Sequence, residues 1–150
     1  MIRVWRLSSS HYPVPDGEGA RLYPGRWNLP GVAVVYASAT LSLAVLETLV
    51  HVDSDILPDN LITLSADIPD QLAIEVIQDD ELPSNWREYP VPEALQVRGT
   101  QWVQRGHTAV LSVPSVVAPG ERNYLLNPAH PDFSKIKWSK PSPFKWDPRL

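Results

Sequence analysis

Residues 23–51, YPGRWNLPGVAVVYASATLSLAVLETLVH, read as a turn, a strand and a helix in direct succession. VAVVYA (32–37) is a β-branched run, the pattern of a buried strand. Ser38 or Thr40 can cap a helix that reaches about His51, with Leu41, Ala44, Val45, Thr48 and Leu49 on or near its inner face. Three residues sit oddly in this apolar stretch. Arg26 lies in a Gly-Arg-Trp-Asn turn, Tyr36 ends the strand, and Glu47 interrupts the helix. An ionised carboxylate among Leu43, Ala44, Val45, Leu46, Leu49 and Val50 is costly unless something pairs it or it faces solvent.

Working outward, IRVWRL (2–7) predicts a first strand, followed by a long loop. NLITLSADI (60–68), AIEVI (73–77) and TAVLSVP (108–114) predict further strands. VPEALQVRGTQWVQRG (91–106) predicts a second helix, with Pro at its start and Gly106 past its end. ERNYLLNP reads as a turn or short helical piece, and FSKIKW (133–138) as a last strand. The 16 prolines are scattered, which breaks the chain into short elements and suits an α+β fold. With 150 residues, no internal repeat and no linker-like shift in composition, one domain is expected.

Composition narrows the chemistry. The formal net charge of −4 argues against a broad basic face, so no direct nucleic-acid binding is expected. With no cysteine, disulfides, thiolate zinc sites and cysteine nucleophiles are excluded. His11, His51, His107 and His130 lack metal-ligand spacing. DGEGA (16–20) follows no strand and lacks the dinucleotide fingerprint, and neither Ser112 nor Ser115 sits in a nucleophile elbow. The start, MIRVWRLSSS, carries charge at positions 3 and 6 and no long apolar run, so neither signal peptide nor membrane span is expected and the cytoplasm is the default. Most of the six tryptophans are expected to pack in the core or at interfaces.

The three odd residues share one chemical reading. An arginine fork matches phosphate oxygens, a phenol ring can stack on a cationic heterocycle, and a carboxylate stabilises an oxocarbenium ion. The bland alternatives are a loop arginine, a core tyrosine and a glutamate on a solvated stripe.

Gly25-Arg26-Trp27-Asn28, Gly31, VVYAS and LAVLETLVH together resemble the RES domain, a family named for an arginine, a glutamate and a serine. The resemblance continues through VWRLSSSHY, VLSVPSVVAPGERNYLLNPAHPDF (110–133) and FKWDPRL (144–150). It implies an ADP-ribosyltransferase-like split β core with flanking helices. It also implies a toxin of a bacterial toxin–antitoxin pair, partnered by a Xre-like antitoxin and compatible with a homodimer inside that complex. The implied activity is cleavage of the nicotinamide–ribose bond of NAD⁺, with phosphate as acceptor, or ADP-ribosyl transfer to a protein. The remaining alternative is a non-catalytic binding module. Carried onto this sequence, the arginine is Arg26, the tyrosine Tyr36 and the glutamate Glu47. The serine is Ser115 or Ser112, with Ser115 preferred and expected to touch the carboxamide or a phosphate. Arg6 is expected as a second phosphate ligand and Asn123 as a further NAD⁺ contact. NAD⁺ is then a substrate, phosphate a co-substrate, and no metal or bound cofactor is expected.

Overall fold

The computed structural model describes residues 1–52 and 57–150. Its framework is a mixed sheet built from two ladders that meet at one residue pair. β1 (Ile2–Ser9) runs antiparallel to β3 (Leu61–Ile68) along its whole length, from Ile2 opposite Ile68 to Ser9 opposite Leu61. Short strands β7 (Lys137–Trp138) and β8 (Ser142–Phe144) extend the far side of β3. In the second ladder β2 (Val35–Ser38) pairs antiparallel with β6 (Arg122–Leu126). β6 pairs with β5 (Val110–Pro114), and β5 runs parallel to β4 (Ile74–Val76). Only Trp5 opposite Ser38 joins β1 to β2. The sheet is therefore split, and the split opens a cleft between the two ladders.

Burial follows from this architecture. Alternating residues of the strands divide between two cores, as the pleat demands. Val4, Val35, Ala66, Val110 and Leu126 pack on one face, with Phe133 and Trp138 beside them. Leu111, Val113 and Leu125 pack on the other against Trp27, Trp86 and Trp102. The second core is roofed by α3 (Glu93–Arg105), whose end is set by Gly106 in the left-handed region at φ 62°. Gly99 lets α3 approach the Arg26 loop closely, since a Cβ there would lie 1.8 Å from the Trp27 carbonyl oxygen. Three tryptophans thus serve the core.

Thr40, not Ser38, caps α2 (Leu41–Leu49): its hydroxyl accepts from the Leu43 amide at 3.1 Å. The helix buries Leu43 and Ala44, so its inner face is rotated from the expected one, and Leu43 belongs to it. Three further expectations are corrected. The loop after β1 contains a short helix, α1 (Glu18–Leu22). ERNYLLNP is not a turn: Arg122–Leu126 forms β6, a central strand between β5 and β2. Residues 133–138 are mainly a 3₁₀ turn (Pro131–Lys135), because Pro131 starts a turn and cannot donate to a ladder, and strand pairing begins only at Lys137. Among the described residues, no helix is long and apolar enough to cross a membrane.

Candidate active site

The split holds a cleft of about 1130 Å³. Pockets for drug-sized ligands run to roughly 300–1,000 Å³, and this cleft lies just above that range. Its walls come from the end of β1, the Arg26 turn, β2, α2, the segment around Arg87 and Tyr89, and Asn123 of β6. Among the described residues lining it, Glu47 is the one carboxylate, facing three arginines: Arg6, Arg26 and Arg87.

Glu47 is held through one oxygen. Ser115 Oγ donates to its Oε1 at 2.6 Å, and Asn123 Nδ2 donates to the same atom at 2.8 Å. No hydrogen bond reaches Oε2 among the described residues. Ser115 itself is 2% exposed and accepts from the Ala118 amide at 3.1 Å. It lies behind Glu47 and reaches the cleft only through it, which corrects the expected direct contact with a ligand. Ser112 is buried elsewhere, its hydroxyl accepting from Arg122 Nε at 2.9 Å, so of the two serines only Ser115 meets Glu47. Asn123 stands in the cleft, and Ser38 Oγ donates to its Oδ1 at 2.7 Å.

Tyr36 and the Arg26 turn form a second network. The Tyr36 hydroxyl donates to Asn28 Oδ1 at 2.7 Å and accepts from the Trp27 amide at 3.0 Å. Asn28, fully buried, also accepts from the Gly25 amide and donates to the Ala20 and Val32 carbonyls. Burial pushes the Tyr36 phenol well above its ordinary value, opposed by the Trp27 N–H and the Arg26 charge. The phenol is thus neutral, and its hydroxyl fastens the turn while part of its ring stays open to the cleft.

Arg26 Nη1 donates to the Trp86 and Glu88 carbonyls at 2.7 and 3.3 Å, which aims the rest of the fork into the cleft. Burial lowers its pKa, while the charges of Glu47 and then Tyr36 raise it. Arg6 is more deeply enclosed. Burial pushes its pKa down, with Asp16 opposing. Its Nη1 makes one long contact, 3.4 Å to the Tyr36 carbonyl, and its buried Nε has no partner among the described residues. Both guanidiniums nonetheless stay charged at neutral pH.

The cleft thus assembles Arg6 of β1, Arg26 of the turn, Tyr36 of β2, Glu47 of α2 and Asn123 of β6. Ser38, Asn28, Arg87 and Tyr89 are additional to the sequence reading. Alternation along β2 puts Ser38 on the same side as Tyr36, a signal present in the sequence. Nothing local to Arg87 or Tyr89 points to the cleft.

Comparison with known proteins identifies the family. The RES domain family profile matches residues 3–147. A "Prs ADP-ribosylating toxin" of Sphingobium sp. (strain YBL2) is 41% identical over 97% of this chain and 94% of its own. A "Toxin Res" of Photorhabdus laumondii is 42% identical over 98% and 96%. A chain of the M. tuberculosis MbcT–MbcA toxin–antitoxin complex superposes with a TM-score of 0.72 at 16% identity, over 95% of this chain and 83% of that one. That likeness extends the split α+β fold beyond close relatives. With its profile match spanning almost every element that builds the cleft, the chain belongs to the RES domain family.

Proposed function

We propose that the protein is a toxin that cleaves the nicotinamide–ribose bond of NAD⁺ and passes the ADP-ribosyl group to an acceptor. The observation that carries this reading is the Glu47 carboxylate, held through Oε1 and, among the described residues, the one carboxylate in a cleft that also carries Arg6, Arg26 and Arg87. The chemistry fits in order. Arg6, its Nε unpartnered among the described residues, and Arg26 take the pyrophosphate by charge-assisted hydrogen bonds. The Tyr36 ring takes the cationic nicotinamide. As the C1′–N bond breaks, its electron pair leaves on nicotinamide and neutralises the ring. Glu47 Oε2 stabilises the positive charge left on the ribose, an electrostatic role preorganised by Ser115 and Asn123. An acceptor oxygen or nitrogen then bonds to C1′ and gives up its proton. Nicotinamide already leaves as a neutral molecule, so the step asks for no metal or bound cofactor.

Two acceptors are in view. Phosphate would give ADP-ribose 1″-phosphate and drain the NAD⁺ pool. The name of the Sphingobium relative supports the other reading, transfer to a protein. Relatives named as toxins, and the toxin–antitoxin complex that shares the fold, support an antitoxin partner, Xre-like on the family resemblance. Purified protein is incubated with NAD⁺ alone, with phosphate, and with cell extract plus labelled NAD⁺. Nicotinamide release is expected in at least one arm, and its dependence on phosphate or on a labelled protein band names the acceptor. Intact NAD⁺ in all three arms overturns the reading.

A further inference from the structure

The polar chain that ends at Glu47 begins at Ser38, and we propose that Ser38 is a positioning residue for the reaction, acting through the Asn123 amide. The inference rests on the NAD⁺ reading and deepens it. Ser38 is 5% exposed and closes β2, where it pairs in register with Asn123 on one side and with Trp5 on the other. It therefore sits at the single junction of the two ladders. Its Oγ lies 2.7 Å from Asn123 Oδ1, and Asn123 Nδ2 lies 2.8 Å from Glu47 Oε1.

Charge at the end of the chain fixes the direction of every proton in it. An ionised carboxylate only accepts, so Asn123 must turn its NH₂ to Glu47. Its carbonyl then faces Ser38, and a carbonyl also only accepts, so the Ser38 hydroxyl must donate. Removing that hydroxyl leaves Oδ1 without its partner, and Glu47 alone is then left to hold the amide against turning over. A reversed amide would set its oxygen against Glu47 Oε1 and misplace the carboxylate. Packing alone would not demand a serine here, since the neighbouring Ala37 is equally buried.

The test uses the parent, Ser38→Ala, Asn123→Ala and the double variant, each checked by thermal unfolding, with kcat and KM for NAD⁺ measured. Ser38→Ala is expected to lower kcat about three- to tenfold and to leave KM nearly unchanged. In the Asn123→Ala background the same change should have no further effect. Independent multiplication of the two losses, or a loss carried by KM with kcat unmoved, overturns the proposal. An activity-free readout separates it from the NAD⁺ reading. The side-chain amide resonances of Asn123 should shift on Glu47→Gln in the parent background and cease to do so in the Ser38→Ala background. If the parent releases no nicotinamide, the NAD⁺ reading fails, while these resonances still decide the role of Ser38: a shift that persists in Ser38→Ala refutes it.

Discussion

Ser115→Ala removes one of the two hydroxyl or amide donors that meet on Glu47 Oε1, the one at 2.6 Å. A hydrogen bond to a charged group contributes about 1.5–3 kcal/mol, and 1.36 kcal/mol corresponds to about one pKa unit or tenfold in rate. The Asn123 bond remains, so the lower half of that range is expected: kcat down about tenfold or somewhat more. The loss should fall on kcat with KM nearly unchanged, because the Ser115 hydroxyl bonds Glu47. The same hydroxyl accepts from the Ala118 amide, so stability should fall as well, by about 1–3 kcal/mol for a donor left unpaired. Steady-state kinetics, beside urea unfolding, separate the two effects. If stability falls while kcat stays put, Ser115 serves only the turn at Ala118, and the preorganisation argument is wrong.

Other expectations follow from the same contacts. Gly99→Ala drives a Cβ into the Trp27 carbonyl at 1.8 Å, where backbone faces backbone and cannot yield cheaply; destabilisation beyond the ordinary overpacking range of about 1–3 kcal/mol is expected by urea titration, with weakened ligand binding through the displaced Arg26 turn. Arg6→Ala and Arg26→Ala should each weaken ADP-ribose binding, by roughly 1.5–3 kcal/mol in calorimetry, and unaltered affinity in either denies that arginine the pyrophosphate. Tyr36→Phe isolates the hydroxyl that fastens the turn, because it keeps the ring. The folded pKa of Tyr36 is raised, so its contribution is complete below the ordinary tyrosine value, about 10, and is lost as pH rises beyond it. Above pH 10 the parent should therefore lose stability more steeply than Tyr36→Phe, by about 1.4 kcal/mol per pH unit; parallel slopes would show that the phenol is not protected.

The strand-to-helix passage at 32–51 is legible because its signals are local: a β-branched run, a Thr40 cap, and a carboxylate conspicuous among leucines and valines. β6 is not, for a physical reason. Leu125 and Leu126 are both fully buried, on opposite faces of a central strand, so the alternation that announces a half-exposed strand is missing. Five residues between Gly120 and Pro128 then look like a turn. That miss conceals how Asn123 is carried to Glu47, 76 residues away in sequence. The role of Ser115 is half legible: the family resemblance implies a site serine that touches the ligand, but its bond to Glu47 is set by the packing of the turn after β5. Arg87 and Tyr89 reach the cleft because the segment before α3 folds over the Arg26 turn, with Arg26 itself bonding to two of its carbonyls. Such contacts are tertiary, and no periodicity encodes them.

The central claim is that Glu47 supplies negative charge to a cation formed from NAD⁺. Glu47→Gln tests it most directly, because the amide oxygen can still accept from Ser115 and Asn123 while the charge is gone. Nicotinamide release is followed for parent and variant at matched folding stability and saturating NAD⁺. The account predicts a loss of roughly a hundredfold or more, as for removal of one preorganised electrostatic group. Turnover by Glu47→Gln close to the parent's would contradict it.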